Sequence, residues 1–400
     1  MGHEWATDWH EPAPLSLPAG YLDGEPDLLR AILSRRGYRT ADAARAFLDP
    51  LAFRLPDLPL ALALSRAVQR LVRALEQDEL VAVWGDYDVD GQTATALLTG
   101  ALRQAGLRVT FYIPPCDGDT RGLTSAGIQD LAGQGCRLLV TCDCGTNEVD
   151  LVARARALGV EVIITDHHAQ SAPLPEALAV LNSSAVARDD PVFGLSGVGV
   201  AYLLARGLLR ERGMAREAND WLDLVALGTV ADVVASTPAN RALLARGLLR
   251  LWQQPRPGVR ALLDLSGRHP STLDTETISF SLGPILNAAG RLGSPCDGVE
   301  LLLTDDPAAA QRLAARLWTL KEERNRLAAT VEAAVVAQIG RDDPTGPIVV
   351  AGVDWHPAVL GRVAGAVAHH SGRQAVVIGI PSAGGPARGS ARADGEIDLC

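Results

Sequence analysis

The stretch Leu80-Val-Ala-Val-Trp-Gly-Asp-Tyr-Asp-Val-Asp-Gly91 decides the fold, because a short apolar run ends directly in alternating aspartates. Two later stretches have the same form. Arg137–Val140 leads into Thr141-Cys-Asp143-Cys-Gly145, and Val160–Ile164 leads into Thr165-Asp-His-His168. Short apolar runs bounded in this way predict buried strands of a parallel sheet. The carboxyl ends of such strands gather at one edge, where ligands bind, so these polar side chains should converge.

A fourth polar segment, Thr229-Val-Ala-Asp232, adds another carboxylate to this group. About five carboxylates and two imidazoles would then meet, and so many like charges cannot sit together without cations between them. Oxygen ligands combined with imidazole suit Mn²⁺ or Mg²⁺ better than a metal that prefers thiolates. The residues therefore predict a hydrolytic site with two metal ions that acts on phosphate esters.

The composition is that of a globular protein with more than one domain. The chain has 400 residues, of which 48% are hydrophobic and 21% charged. No apolar run reaches the roughly 18 residues of a membrane span. Met1–Pro18 lacks the apolar core of a secretory signal, and the six cysteines show neither a CxxC pair nor zinc spacing. We therefore expect reduced thiols, no membrane contact and a cytoplasmic location.

Charge limits how this chain could bind a polyanion. The formal charge of −10 argues against wrapping a long polyanion over the whole surface, but it is compatible with a local basic groove. Lys321 is the only lysine, so any phosphate clamp should use the forked guanidinium of arginine.

Strand and helix patterns alternate from residue 79 to about residue 182, which predicts βαβ units and a mainly parallel sheet. Strands are predicted at 79–84, 108–113, 137–141 and 160–165, and helices at 92–105, 124–134 and 146–158. Other helical patterns cover 27–47, 60–76, 198–211, 217–229, 241–252, 260–265 and 307–339. The last has no glycine or proline after Pro307, so it predicts one long helix between domains. A smaller α/β unit follows, with strands at 346–352 and 374–380 around a helix at 357–370.

The aspartates after the first strand superficially match an EF-hand calcium loop. That loop needs a glutamate where this chain has Leu97, and the preceding segment is strand-like rather than helical, so we reject a calcium-binding module. Asp86 and Asp88 would instead each hold one of two metals. Asp143 would bridge the metals, although taken alone it could cap the helix at 146–158.

His167 and His168 are adjacent on a segment that the pattern predicts to be extended. Their side chains should then point to opposite sides, so only one can easily bind a metal. We expect His167 to be the ligand and Asp166 to orient an imidazole.

Three later segments carry residues suited to phosphate, although each is a weak signal by itself. Gly283–Arg291 is typical of a glycine-bounded loop that presents Asn287 and Arg291. His356 lies in a predicted strand-to-helix turn. Arg388-Gly-Ser-Ala-Arg392 resembles a phosphate nest, because it combines small residues, a hydroxyl and guanidinium groups.

The triplet Asp166-His167-His168 is the signature of the DHH phosphoesterase superfamily, and the chain resembles its RecJ branch, the bacterial 5′→3′ single-strand-specific DNA exonucleases. The resemblance covers nearly the whole chain, from about residue 30 onwards. It implies an α/β fold, in which a Rossmann-like parallel-sheet DHH domain is joined by a long helix to a smaller α/β DHHA1 domain. The implied parts are a leader and helices at 1–58, the DHH domain at 59–270, a connecting segment at 271–345 and the DHHA1 domain at 346–400. Because the apolar pattern restarts at Ile397 just before Cys400, we expect the DHHA1 domain to be incomplete and the OB-type domain of the family to be absent.

The resemblance also implies roles for single residues. The ligands of two divalent cations, Mn²⁺ or Mg²⁺, would be Asp86, Asp88, Asp143, His167 and Asp232. The catalytic set would further include His168, Asp90, Arg291 and His356, with His168 and Asp90 behind the ligands or facing the substrate. The substrate would contact Asn287, Arg388, Gly389, Ser390 and Arg392, the last two at the terminal 5′-phosphate.

Some positions depart from the family pattern. Family members usually have an arginine and a Gly-Tyr-Gly turn where this chain has Cys116 and Thr120-Arg121-Gly122, and Ala366 replaces a basic residue. Arg121 would supply one of the lost substrate contacts. The substrate contacts are therefore less firmly implied than the metal ligands.

The resemblance implies hydrolysis of single-stranded DNA to mononucleotides in DNA repair and recombination, with single-strand-binding protein and a helicase as candidate partners. One alternative is a phosphodiesterase of the same superfamily that acts on oligoribonucleotides, cyclic dinucleotides or pyrophosphate. The N-terminal helices and Gly283–Leu292 favour the exonucleases over it. Another alternative is an inactive replication scaffold, and the retained carboxylates argue against it.

Overall fold

Two units make up the chain, Met1–Arg54 and Leu55–Cys400. The computed structural model describes residues 13, 15–56, 60–114, 122–171, 173–339 and 346–393. Several positions named from the sequence lie outside the described residues: Cys116, Thr120, Arg121, Ile397 and Cys400.

The first unit contains two short helices, α1 (Asp27–Arg35) and α2 (Ala41–Leu48). The sequence predicts helix throughout 27–47, but Gly37 adopts a φ of 94° and ends the first helix. Thr40 then starts the second helix by accepting the backbone N–H of Ala43 at 3.2 Å. A small core packs the two helices together through Tyr21, Leu22, Leu33 and Ala44.

The second unit is built on a parallel sheet of five strands in the order β2-β1-β3-β4-β5. The strands are β1 (Leu80–Trp84), β2 (Arg108–Tyr112), β3 (Cys136–Cys142), β4 (Glu161–Asp166) and β5 (Ala179–Asn182). All four pairings are parallel, as the alternation of strand and helix predicts. Because β1, β3 and β4 are neighbours, their carboxyl ends lie side by side.

Within the described residues, eight α-helices accompany this part of the second unit. They are α3 (Ala61–Glu76), α4 (Val89–Gln104), α5 (Ser125–Gly133), α6 (Val149–Ala157), α7 (Gly197–Glu211), α8 (Leu222–Ala231), α9 (Pro238–Gln253) and α10 (Pro257–Leu265). Helix α4 is buried from Val89 to Leu102 and packs against α7 and α8. It is the central helix of the unit, which explains why its sequence lacks a polar face.

The prediction of a loop at 283–291 is wrong, because the segment is helical. The order there is α11 (Thr275–Thr277), a π-helical turn at Ile278–Leu282, α12 (Gly283–Leu292) and α13 (Pro295–Leu303). Pro284 directly follows the π-helical turn, so it lies inside one continuous helical run from Thr275 to Leu292. Gly290 is buried, and a Cβ there would lie 2.1 Å from the backbone oxygen of Tyr87. The glycine therefore marks close packing rather than a loop.

One long helix, α14 (Pro307–Ile339), leads into a second sheet, as predicted. That sheet contains β6 (Ile348–Val353), β7 (Ala375–Ile380) and β8 (Arg388–Arg392), with α15 (Pro357–Ser371) between the first two strands. Strands β6 and β7 are parallel, and β8 is antiparallel to β7. The segment 388–392 is not the turn of a phosphate nest, because it is extended and pairs with β7, although its hydroxyl and guanidinium groups still lie on that strand.

The second sheet shares its core with the end of the long helix. Ala328, Val331 and Val335 of α14 pack against β6, β7 and α15, while Ala310, Ala314 and Leu317 are buried in the first half of the helix. Helix α14 thus contributes to two separate cores. Among the described helices, we find none that is both long enough and apolar enough to cross a membrane.

Candidate metal centre

The carboxyl ends of β1, β3 and β4 bring the predicted metal-binding side chains together. Three overlapping sets of potential ligand atoms form there, and within each set the atoms lie within 4.8 Å of one another. The sets are Asp86 with Asp88 and Asp143, Asp143 with His167 and His168, and Asp90 with His167 and Asp232. Asp143 and His167 each belong to two sets. The cluster can therefore hold more than one cation.

The turn after β1 aims two carboxylates into this cluster. Asp88 is the N-cap of α4 and accepts the backbone N–H of Gly91 at 3.1 Å. Asp86 accepts the N–H of Tyr87 at 2.8 Å. A Cβ at Gly91 would lie 2.5 Å from the backbone oxygen of Asp86, so only glycine permits so tight a turn.

Asp143 has the environment of a metal ligand rather than of a helix cap. It follows β3 with a φ of 62°, an uncommon conformation that aspartate tolerates better than most residues. Its side chain is 2% exposed, and Oδ1 lies 3.0 Å from Nε2 of His167. Oδ1 nevertheless makes no hydrogen bond to any described residue, because the two atoms are close without being aligned as donor and acceptor. A buried anionic oxygen this close to an imidazole nitrogen fits a divalent cation that binds both atoms.

Helix α7 begins directly against this cluster. A Cβ at Gly197 would lie 2.7 Å from Oδ1 of Asp143, so a larger residue would fill the space around the ligand atoms. Asp90, whose side chain is 1% exposed, accepts the N–H groups of Gly197 at 2.7 Å and Val198 at 2.9 Å. Its carboxylate thus binds the positive end of the helix dipole.

The resemblance implies a position for Asp90 either behind the ligands or toward the substrate, and its burial favours the first position. Oδ2 of Asp90 lies 3.8 Å from Nε2 of His167. Burial raises the pKa of Asp90 well above its ordinary value, and the charges of Asp232 and Asp88 add to this, while the bonds from Val198 and Gly197 oppose it. Asp90 can therefore help to position His167, but it does not face solvent.

The two histidines do not point to opposite sides, contrary to the sequence prediction. Strand β4 ends at Asp166, so the alternation of an extended strand no longer applies to His167 and His168. Their ring centroids are 4.7 Å apart, and both rings face Asp143. Burial, followed by the charge of His168, lowers the pKa of His167, which keeps it neutral and able to bind a cation.

His168 is oriented by Asp166, as the sequence suggests for one of the imidazoles. Oδ1 of Asp166 accepts the N–H groups of both histidines and lies 2.8 Å from Nδ1 of His168. Oδ2 accepts the N–H of Thr146 at 3.0 Å. The bond to Asp166 raises the pKa of His168 to about 9. Burial of Asp166 acts to raise its own pKa, but the hydrogen bond and charge of His168 outweigh this and lower it to about 2.

Asp232 enters the cluster from the end of α8, where it is the C-cap. Its Oδ2 lies 3.5 Å from Nε2 of His167. Burial, together with the charge of Asp88, raises the pKa of Asp232 to about 6. Burial also raises the pKa of Asp143 well above its ordinary value, with further contributions from Asp90 and Asp88. Several carboxylates are thus held where their charges repel one another, and a cation would relieve this repulsion.

Arg291 lies beside the centre through the packing of α12. Its guanidinium carbon is 5.4 Å from the centre of the Tyr87 ring, which lies between two of the predicted ligands in sequence. Nε of Arg291 is buried without a hydrogen-bond partner among the described residues. The contact depends on Gly290, which lets α12 approach the backbone of Tyr87. Arg291 is therefore a cation at the edge of the cluster.

The remaining predicted residues lie on the second sheet and α15. His356 is the N-cap of α15, and its Nδ1 accepts the N–H of Ala358 at 3.2 Å. Ser390 and Arg392 on β8 face α15, because a Cβ at Gly361 would lie 3.2 Å from both side chains. Arg388 and Gly389 belong to the same strand. None of these side chains contributes an atom to the three described ligand sets.

Three basic side chains near the centre were not identified from the sequence, namely Lys321, Arg324 and Arg362. They line a cavity of about 420 Å³ together with the predicted Asn287 and with Ala231, the neighbour of Asp232. Lys321 and Arg324 are one helical turn apart, so the sequence does predict that they share a face of α14. Nothing in the sequence brings α15 and its Arg362 to that face.

Comparisons with known proteins agree with this geometry. The DHH family, N-terminal domain, matches residues 80–229. The chain is 36% identical over 395 residues to the single-stranded-DNA-specific exonuclease RecJ of Dickeya dadantii (strain 3937), covering 94% of this chain and 68% of that protein. It is 36% identical over 368 residues to the RecJ protein of Bacillus subtilis (strain 168), covering 91% of this chain and 46% of that protein. The chain thus spans about half to two thirds of the length of these relatives.

Solved structures give the same result for the fold. A crystal structure of exonuclease RecJ bound to manganese shares 30% identity with a TM-score of 0.75, covering 87% of this chain and 85% of that one. RecJ from Thermus thermophilus in complex with Mn²⁺ shares 30% identity with a TM-score of 0.76, covering 92% of this chain and 52% of that one. The chain belongs to the RecJ family of DHH proteins.

Proposed function

We propose that this chain is a metal-dependent exonuclease that hydrolyses single-stranded DNA to mononucleotides in the 5′→3′ direction, in DNA repair and recombination. The observation that carries the proposal is the convergence of Asp86, Asp88, Asp143, His167 and Asp232, whose ligand atoms form overlapping sets. Relatives that are 36% identical are named single-stranded-DNA-specific exonucleases, which supports this substrate over a small nucleotide.

The cofactors in this proposal are two divalent cations, Mn²⁺ or Mg²⁺. Related RecJ structures are described as complexes with Mn²⁺ and with Mg²⁺. The donor set of carboxylates and imidazole suits these ions, and Asp143, shared between two sets, is the candidate bridging ligand. Asp86, Asp88, Asp143, His167 and Asp232 would hold these cations, which would supply an activated water and charge stabilisation for phosphodiester hydrolysis.

Three side chains beside the ligands would stabilise charge on the substrate or position other groups. Asp166 holds His168 in one orientation and raises its pKa, which favours the positively charged imidazolium beside an anionic substrate. Arg291 would stabilise the charge that develops on the phosphoryl oxygens, a contribution of roughly 3–4 kcal/mol for one well-placed donor. Asp90 would act through His167 and the start of α7 rather than on the substrate.

The other side chains are proposed for binding or for an indirect role. His356 would approach the scissile phosphate, and Ser390 and Arg392 would bind the terminal 5′-phosphate, with Arg388 and Gly389 beside them. Asn287 would contact the strand from α12. Support for these roles comes from the family resemblance and, for Asn287, from its position in the cavity next to Asp232.

The domain bounds, the cellular location and the partner proteins are also proposals that rest on the resemblance. We assign the DHH domain to 59–270, the connecting segment to 271–345 and the DHHA1 domain to 346–400. We further propose a cytoplasmic location, with single-strand-binding protein and a helicase as partners. Co-purification of the tagged chain with each candidate partner, with and without nuclease treatment, would test the partners.

The test of the function uses two single-stranded DNAs, one labelled at the 5′ end and one at the 3′ end, each incubated with Mn²⁺ or with EDTA. We expect immediate release of the 5′ label as a mononucleotide, a shortening ladder from the 3′-labelled strand, and no reaction in EDTA. Turnover of dinucleotides without cutting of long strands would contradict the proposal and favour a small-substrate phosphodiesterase.

A further inference from the structure

A groove with an exposed aromatic ring and several cations lies beside the metal centre. We define the basic groove by the side chains that could contact a ligand: Phe280, Asn287, Lys321, Arg324, Asn325 and Arg362. Ala231 also lines it, so the groove adjoins Asp232. Its volume of about 420 Å³ lies within the range of small-ligand sites.

The guanidinium groups of the groove are not neutralised by acidic side chains. Nε of Arg324 donates to the backbone oxygen of Ala358 at 3.2 Å, and Nη1 of Arg362 donates to Oδ1 of Asn325 at 2.6 Å. Within the described part of the chain, no carboxylate forms an ion pair with Arg324, Arg362 or the nearby Arg291, whereas Lys321 pairs with Glu322 at 2.7 Å. Neutral partners thus fix the guanidinium groups and leave their charge available to an anion.

Like charges are also held close together here. Burial, followed by the charges of Arg291 and Arg362, lowers the pKa of Arg324 to about 10. Arg324 and Arg362 line the same groove, and the charge of Arg291 also acts on Arg324, in a chain whose formal charge is −10. Such an arrangement is unfavourable by itself and becomes favourable when a phosphate lies between the cations.

Phe280 gives the groove its second chemical feature. The π-helical turn buries Ile278 and Leu282 but leaves Phe280 78% exposed. Its ring contacts no other aromatic or cationic side chain in the described ranges. π-Helical turns often occur at functional sites, and an exposed ring beside fixed cations can stack on a flat ligand.

We propose that the basic groove binds the sugar-phosphate backbone of an unpaired strand beside the metal centre, and that Phe280 stacks on one of its bases. This proposal rests on the proposed function, because it takes the substrate to be a nucleic acid strand. A single-stranded nucleotide combines an anionic phosphate with an accessible aromatic face, which matches both features of the groove. The bases of a duplex are already stacked and paired, so the groove would favour single strands over duplexes.

The test measures binding without metal, so that it does not depend on cleavage. A fluorescein-labelled oligothymidylate is titrated with protein in EDTA at several salt concentrations, and the same is done with a labelled duplex. Phe280→Ala should weaken binding of the single strand by roughly 5- to 100-fold and reduce the preference over duplex, while Phe280→Trp should restore both. Arg362→Ala should weaken binding and reduce the slope of log affinity against log salt by about 0.7, the value for one phosphate contact on a single strand.

The matched control is Arg326→Ala, on the same helix as Arg324 but outside the basic groove. It should leave affinity and salt slope unchanged, and thermal unfolding should show that all variants are folded. If Phe280→Ala and Arg362→Ala bind like the wild type, or if the wild type does not bind the single strand, the groove proposal is overturned. If the wild type cuts labelled DNA while these variants bind normally, only the groove proposal fails. If binding depends on the groove but no strand is cut, only the proposed function fails.

Discussion

At the scale of single residues, the site contains groups whose burial and backbone conformation reduce the stability of the fold. Asp143 is buried, has a positive φ and presents an oxygen without a hydrogen-bond partner among the described residues. Gly197 has no side chain, which keeps the space beside that oxygen open. A fold retains such a group where its chemistry is required, because strain and unpaired charge reduce stability.

Replacing Asp143 by asparagine should separate stability from activity. Asparagine has nearly the same shape and also tolerates a positive φ, but it removes the charge that neighbouring carboxylates repel. We expect hydrolysis to fall by more than about 100-fold, since loss of side chains that only orient ligands already costs roughly 10- to 100-fold. In EDTA, the free energy of unfolding should rise by about 0.5–2 kcal/mol, measured by urea denaturation. Retained activity with Mn²⁺, or a loss of stability in EDTA, would contradict this assignment.

Acid should weaken the stabilisation by metal. The pKa of Asp232 is raised from its ordinary 3.8 to about 6. The carboxyl of Asp232 therefore stabilises the metal-free fold fully below about pH 3.8, its ordinary pKa. This stabilisation is lost as the pH rises through about 6. A cation binds the deprotonated form, so the increase in Tm caused by Mn²⁺ should be larger at about pH 8 than at about pH 5. Equal increases at both values would argue that Asp232 is not a ligand.

At the scale of secondary structure, the sequence predicts the strands well and the later elements less well. The apolar runs before Asp86, Asp143 and Asp166 are the strands β1, β3 and β4, because short apolar segments between turn residues have few other stable arrangements. The sequence predicts a loop at 283–291, and this is wrong because glycine there looks like a turn residue. Gly290 instead allows close packing against the distant turn at Tyr87, which local patterns do not reveal. The strand at 388–392 lacks large apolar residues and is extended only because it pairs with β7.

The packing of α12 can be tested with a pair of helical glycines. Gly290→Ala places a Cβ 2.1 Å from the backbone oxygen of Tyr87, so α12 must shift away from the metal-binding turn. We expect a loss of about 1–3 kcal/mol in the free energy of unfolding, together with reduced activity because Arg291 moves. Gly133→Ala in α5 is the control, since a Cβ there meets no atom within 4 Å and should be neutral or stabilising by up to about 1 kcal/mol. A similar stability for both variants would contradict the close contact.

At the scale of the whole molecule, the packing of helix α14 creates the features that could not be predicted from the sequence. Its 33 residues link the packing around α10, α12 and α13 to the core of the second sheet. The metal cluster could be predicted because its residues follow strands of one sheet. The basic groove could not, because Phe280, Arg324 and Arg362 come from three elements whose meeting depends on how α14 is packed.

A break in α14 should separate its two cores. Ala329 is exposed, so its replacement changes the helix without removing core contacts. Ala329→Pro should cost about 3 kcal/mol or more, because proline removes a backbone hydrogen bond and clashes with the preceding turn. Ala329→Gly should cost only about 1 kcal/mol. Calorimetry should show that the proline variant loses cooperativity between the two cores while the glycine variant keeps it, and identical melting profiles would contradict a mechanical link through α14.

The single lysine of the chain gives the groove a chemical handle of its own. Lys321 is 23% exposed, and its ammonium lies 4.3 Å from the centre of the Trp318 ring. Amine-directed reagents would therefore find one side chain and the α-amino group, with no other lysine to compete. A dye attached at this position would report on the groove without any engineered residue. Slower acylation of Lys321 in the presence of a DNA strand would map the strand's path by mass spectrometry.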